Sequence, residues 1–566
     1  YLVAATTSSA KLVTEAISGL QVLASHDAIV ASGLGAVVST LAKLALGSAA
    51  SDEALQVKVV QALNSLITSC SFLQGNALAQ TLDLGIRMSS AKSSLVRGLA
   101  VATLRQMMRR VFEKVAAEDG ADEANDIELS ASSEANAALV GASSMRPCAR
   151  DALQVFHALV SLTNGENATW LASASGGSST APAVLARDLG LELLEVILLT
   201  IRIDSMYLAH PELTQMLQEA VCPLLIRNFS QLTEFSLGIR LFRVVRILVA
   251  SFGQVLVMEV EILVNMLFKL FDAPKPQLAL LIGAMEVLHS WMADPQLAAR
   301  LASFYDCQET STNVFTDSVA VVSQTVTAMC ESKAARSGKV PHDKVVASDQ
   351  MPFLDLLSES APPRKISNYA LLIGCRMLAS AAQATAHAAA TDPTLGTLML
   401  AVSWRPIRDG LLATLALSDD ADVLALLVPA LTTVVHTAGV LGESDVVAAV
   451  LAELAFRALP RRLPPRARLP GLFPPPGVEG PSAAAAAVLG EGGNAFDAAA
   501  ATALARTRSP RALKLLLTYL LGNSELVAVS AAEAVGRLGG DGADQVLLKA
   551  LKSAEKSKDR RERRQA

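Results

Sequence analysis

Histidine, cysteine and carboxylate side chains are where this chain could move protons or hold a metal, and their spacing is poor for both. The seven histidines are scattered. The six cysteines, Cys70, Cys148, Cys222, Cys307, Cys330 and Cys375, form no CxxC pair and none lies beside a histidine at zinc-finger spacing. Buried free thiols in a reducing cytosol are therefore expected rather than disulfides or metal ligands. His210 and Cys222 stand alone and read as structural. The sequence has no GxxxxGK[ST] phosphate loop, no HExxH and no GxSxG. No catalytic residue, cofactor or metal is expected, and the chain reads as a non-enzyme.

Arginine is the other chemically useful group. Arg105, Arg109 and Arg110 lie in the run LVRGLAVATLRQMMRRVFEKVAAED, and Arg240, Arg243 and Arg246 share a broad face of a later helical run, with Arg227 a little before them. Either set could meet an acidic protein surface or anionic lipid; the plainer reading is a solvated charged face.

These residues must be carried by helices. The chain has 566 residues, 52% hydrophobic but only 4% aromatic, so alanine, leucine and valine supply its apolar surface. That suits thin, closely stacked helices. No long run alternates with period two, which leaves a sheet little support. Net charge of −5 excludes the strongly basic character of a nucleic-acid binder. In residues 255–271, Glu261, Asn265 and Lys269 fall at i, i+4 and i+8 on an otherwise apolar helix, expected to be buried around most of its circumference. Breaks such as Asp294-Pro295 recur at about half the ~40–47 residues of a two-helix HEAT or armadillo repeat. The expected fold is all-α, an armadillo/HEAT-like α-solenoid superhelix. Ser25-His26-Asp27 is placed to cap a helix over 28–44, and Pro223 to kink a run around Cys222. Residues 423–441 carry no charged side chain over a length just able to cross a bilayer. Pro429, Thr432, Thr433 and His436 argue instead for two buried helices broken near the proline.

Several runs are familiar. LQGNALAQTLDLGIRMSSAKSSLVRGLAVATLRQMMRRVFEKVAAEDG (73–120) resembles the N-terminal region of the Mon-two family of large Golgi scaffolds, relatives of the big Arf-type guanine-nucleotide exchange factors. LQVFHALVSLTNGENATWL, ending past Trp170 as a large apolar anchor, and GLELLEVILLTIRIDSMYLAHPELTQMLQEAVCPLLIRNFS are similar to the same family. Tyr305-Asp306-Cys307, followed by Ser-Thr-x-Val-Phe at 311–315, resembles the box marking its homology-upstream region. Phe304 and Gln308 stand where exchange factors carry Asn and a second Asp. Asp306 is expected to cap the helix that follows.

The resemblance implies a dimerisation and cyclophilin-binding-like region over 1–119, aligned without the family's first helices. A flexible loop is expected over 120–145, a homology-upstream-like region over 146–330, a linker over 331–365 and further helical repeats over 366–459. A Pro/Ala/Gly-rich linker (460–500) and a HEAT-like repeat with a charged tail (501–566) would follow. It further implies a scaffold for vesicle-mediated protein transport between endosomes and the trans-Golgi, peripheral on the cytosolic face of those membranes. A Dopey-family protein, an Arf-like small GTPase and a second copy of the chain are the implied partners. The alternative is a truncated Arf-type exchange factor whose catalytic domain lies outside this chain, and a third is an unrelated HEAT adaptor.

Overall fold

The computed structural model describes residues 1–7, 9–47, 52–129, 145–174, 184–201, 210–273, 276–308, 311–336, 352–357, 361–363, 367–417 and 421–458. The Pro-rich stretch from 460, the HEAT-like repeat and most of the expected 120–145 loop lie outside them. Helices dominate, and no strand occurs among the described residues. In chain order they are α1 (Leu2–Ala5), α2 (Ala10–Ser25), α3 (Ala31–Leu46), α4 (Glu53–Ser69), α5 (Gly75–Ser89), α6 (Ser94–Leu129), α7 (Pro147–Thr163), α8 (Thr169–Ala174) and α9 (Arg187–Thr200). Then come α10 (Pro211–Met216), a π-turn (Leu217–Val221), α11 (Cys222–Ser230), α12 (Phe235–Phe252), α13 (Val257–Phe271), α14 (Leu278–Met292), α15 (Pro295–Leu301) and a second π-turn (Ala302–Asp306). The series continues with α16 (Val314–Arg336), a 3-10 turn (Phe353–Asp355), α17 (Ser367–Thr391), α18 (Pro393–Leu415), α19 (Ala421–Leu441) and α20 (Ser444–Ala458).

Helices pack mostly on partners one to three places away in the chain, the pattern of an all-α solenoid. Two compact units result, one from Tyr1 to Leu263 and the other from Val264 onward. In the first, α6 is the central rod, touching α4, α5, α7 and α9. In the second, α17 takes that place against α14, α15, α16, α18 and α19. The alanines of α17 let its neighbours approach closely: Ala370, Ala381, Ala384 and Ala388 are fully buried.

Local chemistry sets the helix ends. Asp294 and Asp392 each accept hydrogen bonds from the two amides past a proline at N1, at 3.0 and 3.2 Å and at 2.9 and 3.3 Å respectively. The Asp-Pro break is thus a helix start, with aspartate as N-cap and proline where no amide partner is needed. Asp27 does not cap α3, whose N-cap is Val30 with no side-chain bond. It adopts a φ of 49° and accepts from the amide and hydroxyl of Ser71 at 3.1 and 2.6 Å, tying two turns together.

Other expectations need correcting. Helix α6 runs to Leu129, past the expected start of a loop. Helix α13 exposes more than its polar stripe: Met258 is 75% and Ile262 46% exposed. Trp170 is only half-buried on the short α8; the fully enclosed tryptophan is Trp291. Helix α19 passes through Pro429 unbroken, because Pro429 and the Ala425 whose carbonyl it orphans both face solvent. It is the one described helix long and apolar enough to cross a membrane, and 61% of Val423–Leu441 is buried against its neighbours. Before Pro223 the chain widens into the π-turn Leu217–Val221, which accommodates the ring that an α-helix would exclude. Residues 331–365 are no plain linker: α16 occupies their first part, and Phe353 and Leu354 are buried.

Candidate interaction surface

Helix α9 presents Asp188, Glu192 and Glu195 at i, i+4 and i+7, one stripe along the helix. Helix α12 packs against it and presents Arg240 and Arg243. Arg243 grips Glu195 with Nε at 2.8 and 2.9 Å and a terminal nitrogen at 2.6 Å. Arg240 lies 3.7 Å from Glu192 and 3.9 Å from Asp188. Arg105 of α6 also pairs with Glu192, so this carboxylate stands between two guanidinium groups.

This corrects the expected docking face. Arg240 is 9% exposed and Arg243 half-buried; both are occupied as clamps between helices and neither offers a free cation to a lipid or a GTPase. Arg246 is half-buried and engaged. Arg110 donates to the Thr68 carbonyl at 2.8 Å and pairs with Glu113 at 3.2 Å. Arg109 is exposed and, among the described residues, has no ion pair. The missed signal is the acidic stripe on α9, whose spacing complements the arginine spacing on α12.

A second cluster joins the end of the first expected region to the start of the next. The Asp119 carboxylate lies 3.0 and 3.1 Å from His210 Nε2 and 3.2 Å from Arg146, which also donates to the Glu118 carbonyl at 3.2 Å. His210 is 6% exposed and structural, as its isolation suggests. Asp151 adds a bond from the Gly75 amide at 2.9 Å. Residues 1–119 and 146–263 therefore fold as parts of one unit.

The Tyr305-Asp306-Cys307 box lies on the second π-turn and its exit. Tyr305 is 1% exposed. The Asp306 carboxylate accepts from the Phe315 amide at 3.0 Å and from the Thr316 amide and hydroxyl at 2.8 and 2.6 Å. It caps α16 from eight residues before that helix begins, an architectural role. Burial pushes its pKa up while the three hydrogen bonds draw it down. The cysteines are all free, but not all buried: Cys307 is exposed and Cys148 half-buried. Burial raises the Cys222 thiol, with Glu259 adding to it, to about 12, so this thiol stays protonated.

A cleft of about 320 Å³ beside the first π-turn is lined by His157, Asn164, Glu166, Glu219 and Arg227, and Arg227 donates to Asn164 at 2.9 Å. No group of three metal-ligating side chains occurs among the described residues.

Helical stacking and a capped box, without a convergent catalytic constellation in the described residues, define a helical-repeat protein. Comparison with known families makes this specific. Residues 1–119 match the Mon2/Sec7/BIG1-like dimerisation and cyclophilin-binding domain, and residues 148–314 match the Mon2/Sec7/BIG1-like HUS domain. Protein MON2 homolog of Homo sapiens is 30% identical over 337 residues, covering 56% of this chain and 19% of that protein. Protein MON2 homolog of Xenopus laevis is 29% identical over 337 residues, with the same coverages. That of Caenorhabditis briggsae is 30% identical over 360 residues, 58% of this chain and 21% of that protein. The chain belongs to the Mon2/Sec7/BIG1-like family. It spans about a fifth of the length of these relatives.

Proposed function

We propose that the chain is a non-enzymatic scaffold for vesicle-mediated protein transport between endosomes and the trans-Golgi, acting as a peripheral protein on the cytosolic face of those membranes. One observation carries the reading: both family domains occur in order in a single chain, at 1–119 and 148–314. The named property of the first domain, dimerisation, supports self-association through residues 1–119. A Dopey-family protein and an Arf-like small GTPase are the proposed partners, held by distributed contacts along helix faces. Of the arginines considered, Arg109 and Arg227 are exposed and fit such a contact; Arg109 has no ion pair among the described residues, and Arg227 donates to Asn164. Replacing the outward-facing residues of 99–115 while keeping its buried ones should abolish Golgi-region localisation of a tagged full chain. Unaltered localisation, or a diffuse nuclear signal for the parent chain, would overturn the proposal. The exchange-factor reading draws on the same family relation; nucleotide release from an Arf GTPase, measured with the full-length protein, separates the two.

A further inference from the structure

Glu286 is a carboxylate at 4% exposure in the middle of α14, among the fully buried Met285, Val287 and Leu288. Burying an ionised carboxylate is costly unless donors surround it. Its Oε1 accepts the Phe353 amide at 2.7 Å and the Tyr369 hydroxyl of α17, and its Oε2 accepts the Leu354 amide at 2.8 Å. Two of the three donors thus come from residues 352–357, a short turn between α16 and α17 and part of neither helix. Phe353 is fully enclosed, its ring 5.5 Å from that of Tyr369 and inclined by 15°, and Leu354 is 3% exposed. Pro352 and Asp355 on either side face solvent.

Elsewhere in this unit whole helical faces bury one another. Here a groove between α14 and α17 is filled instead by two side chains, and the buried Glu286 carboxyl is satisfied largely by two consecutive backbone amides. Such recognition does not depend on the turn being joined to the groove. A carboxylate reading two amides, an aromatic slot and an aliphatic slot would accept the same turn from a separate peptide. We infer that the α14–α17 groove is a peptide-recognition site for a proline-led aromatic–aliphatic–acidic turn, and that Pro352-Phe353-Leu354-Asp355 occupies it in cis as a detachable latch. The turn lies outside both helices and shares none of their intrahelical hydrogen bonds, so it opens at lower free energy than the helices beneath it. Tethering supplies an effective concentration on the order of millimolar, which keeps the groove closed to weak competitors. This assignment is independent of the transport role proposed above.

The test uses the full chain and a fluorescein-labelled peptide of residues 350–359. Phe353→Ser with Leu354→Ser vacates the groove, so the peptide should bind that variant about tenfold or more tightly than the parent, whose groove is rarely open. Adding Glu286→Ala should abolish the gain, and a peptide with alanine for Phe353 should not bind. Equal binding to parent and vacated chains, or indifference to Glu286, would overturn the assignment. Should the vacated variant not fold, hydrogen exchange on the parent decides. The amides of Phe353 and Leu354 should exchange about 100-fold faster than those of the buried turns of α17; equal protection would show an integral core element and refute the latch.

Discussion

Arg243 and Glu195 meet across α12 and α9 with both carboxylate oxygens engaged, at 2.6 to 2.9 Å. The pair ties two helices that share the core of the first unit. The Glu195 side chain is only 6% exposed and that of Arg243 16%, so neither partner can turn to water if the other is lost. Arg243→Ala should cost about 3–5 kcal/mol, most of it from the stranded carboxylate. Replacing both by Met and Leu should recover a large part of that loss. Denaturant unfolding of the three chains measures it, and equal stabilities for the single and double variants would refute the clamp.

Asp306 and Thr316 make the second testable relationship. Asp306→Ala removes the acceptor for two amides at the start of α16 and should cost about 0.5–2 kcal/mol. Asp306→Asn keeps one acceptor oxygen and should fall between the two. Because the cap is reached from outside the helix, the variant should also speed exchange at the Phe315 and Thr316 amides. A melting temperature unchanged in both variants would remove the cap from the account.

Close approach gives the third. Gly396 opens α18 against the end of α17, and a Cβ placed there would lie 2.7 Å from the Ala389 backbone nitrogen. Main chain cannot swing aside as a long side chain can. Gly396→Ala should therefore destabilise by about 1–3 kcal/mol, despite alanine's better helix propensity. Gly98 on α6 has nothing within 4 Å of such a Cβ, so Gly98→Ala serves as the control and should stabilise slightly.

Much of the architecture could be read from the residues. Aspartates followed by proline, such as Asp294-Pro295 and Asp392-Pro393, combine a cap with a residue suited to N1, and both sit at helix starts. Leucine and alanine at helical spacing gave the stack itself. Pairing was harder to see. Arg240 and Arg243 look like an exposed basic face until the complementary Asp188, Glu192 and Glu195, about 50 residues away in sequence, are brought opposite them by the fold. Glu286 is a single acid in an apolar helix, and nothing local says that its donors are the amides of Phe353 and Leu354. Long-range electrostatics between stacked helices is invisible to periodicity, which reports only which face turns inward.

Acidity should act on the second unit through opposing groups. His289 has its pKa lowered by burial, and further by Arg376, from 6.5 to about 4. A histidine held neutral in the fold contributes stability that is present above pH 6.5 and lost as pH falls toward 4, because the unfolded chain takes up the proton first. Glu286 and Asp306 have the opposite sign. Burial raises both above their ordinary values of 4.5 and 3.8. Their contribution is present in full below those values and declines as pH rises through the raised ones. Below pH 6.5 the His289 contribution gives a limb along which stability falls on acidification, opposed in sign by the two carboxylates. His289→Gln should flatten that limb, and Glu286→Gln should leave it in place. The imidazole resonances of His289 should remain those of a neutral ring down to pH 5 and titrate near 4 in the folded chain. A midpoint near 6.5 would show that the ring is solvated and that the acid limb has another origin.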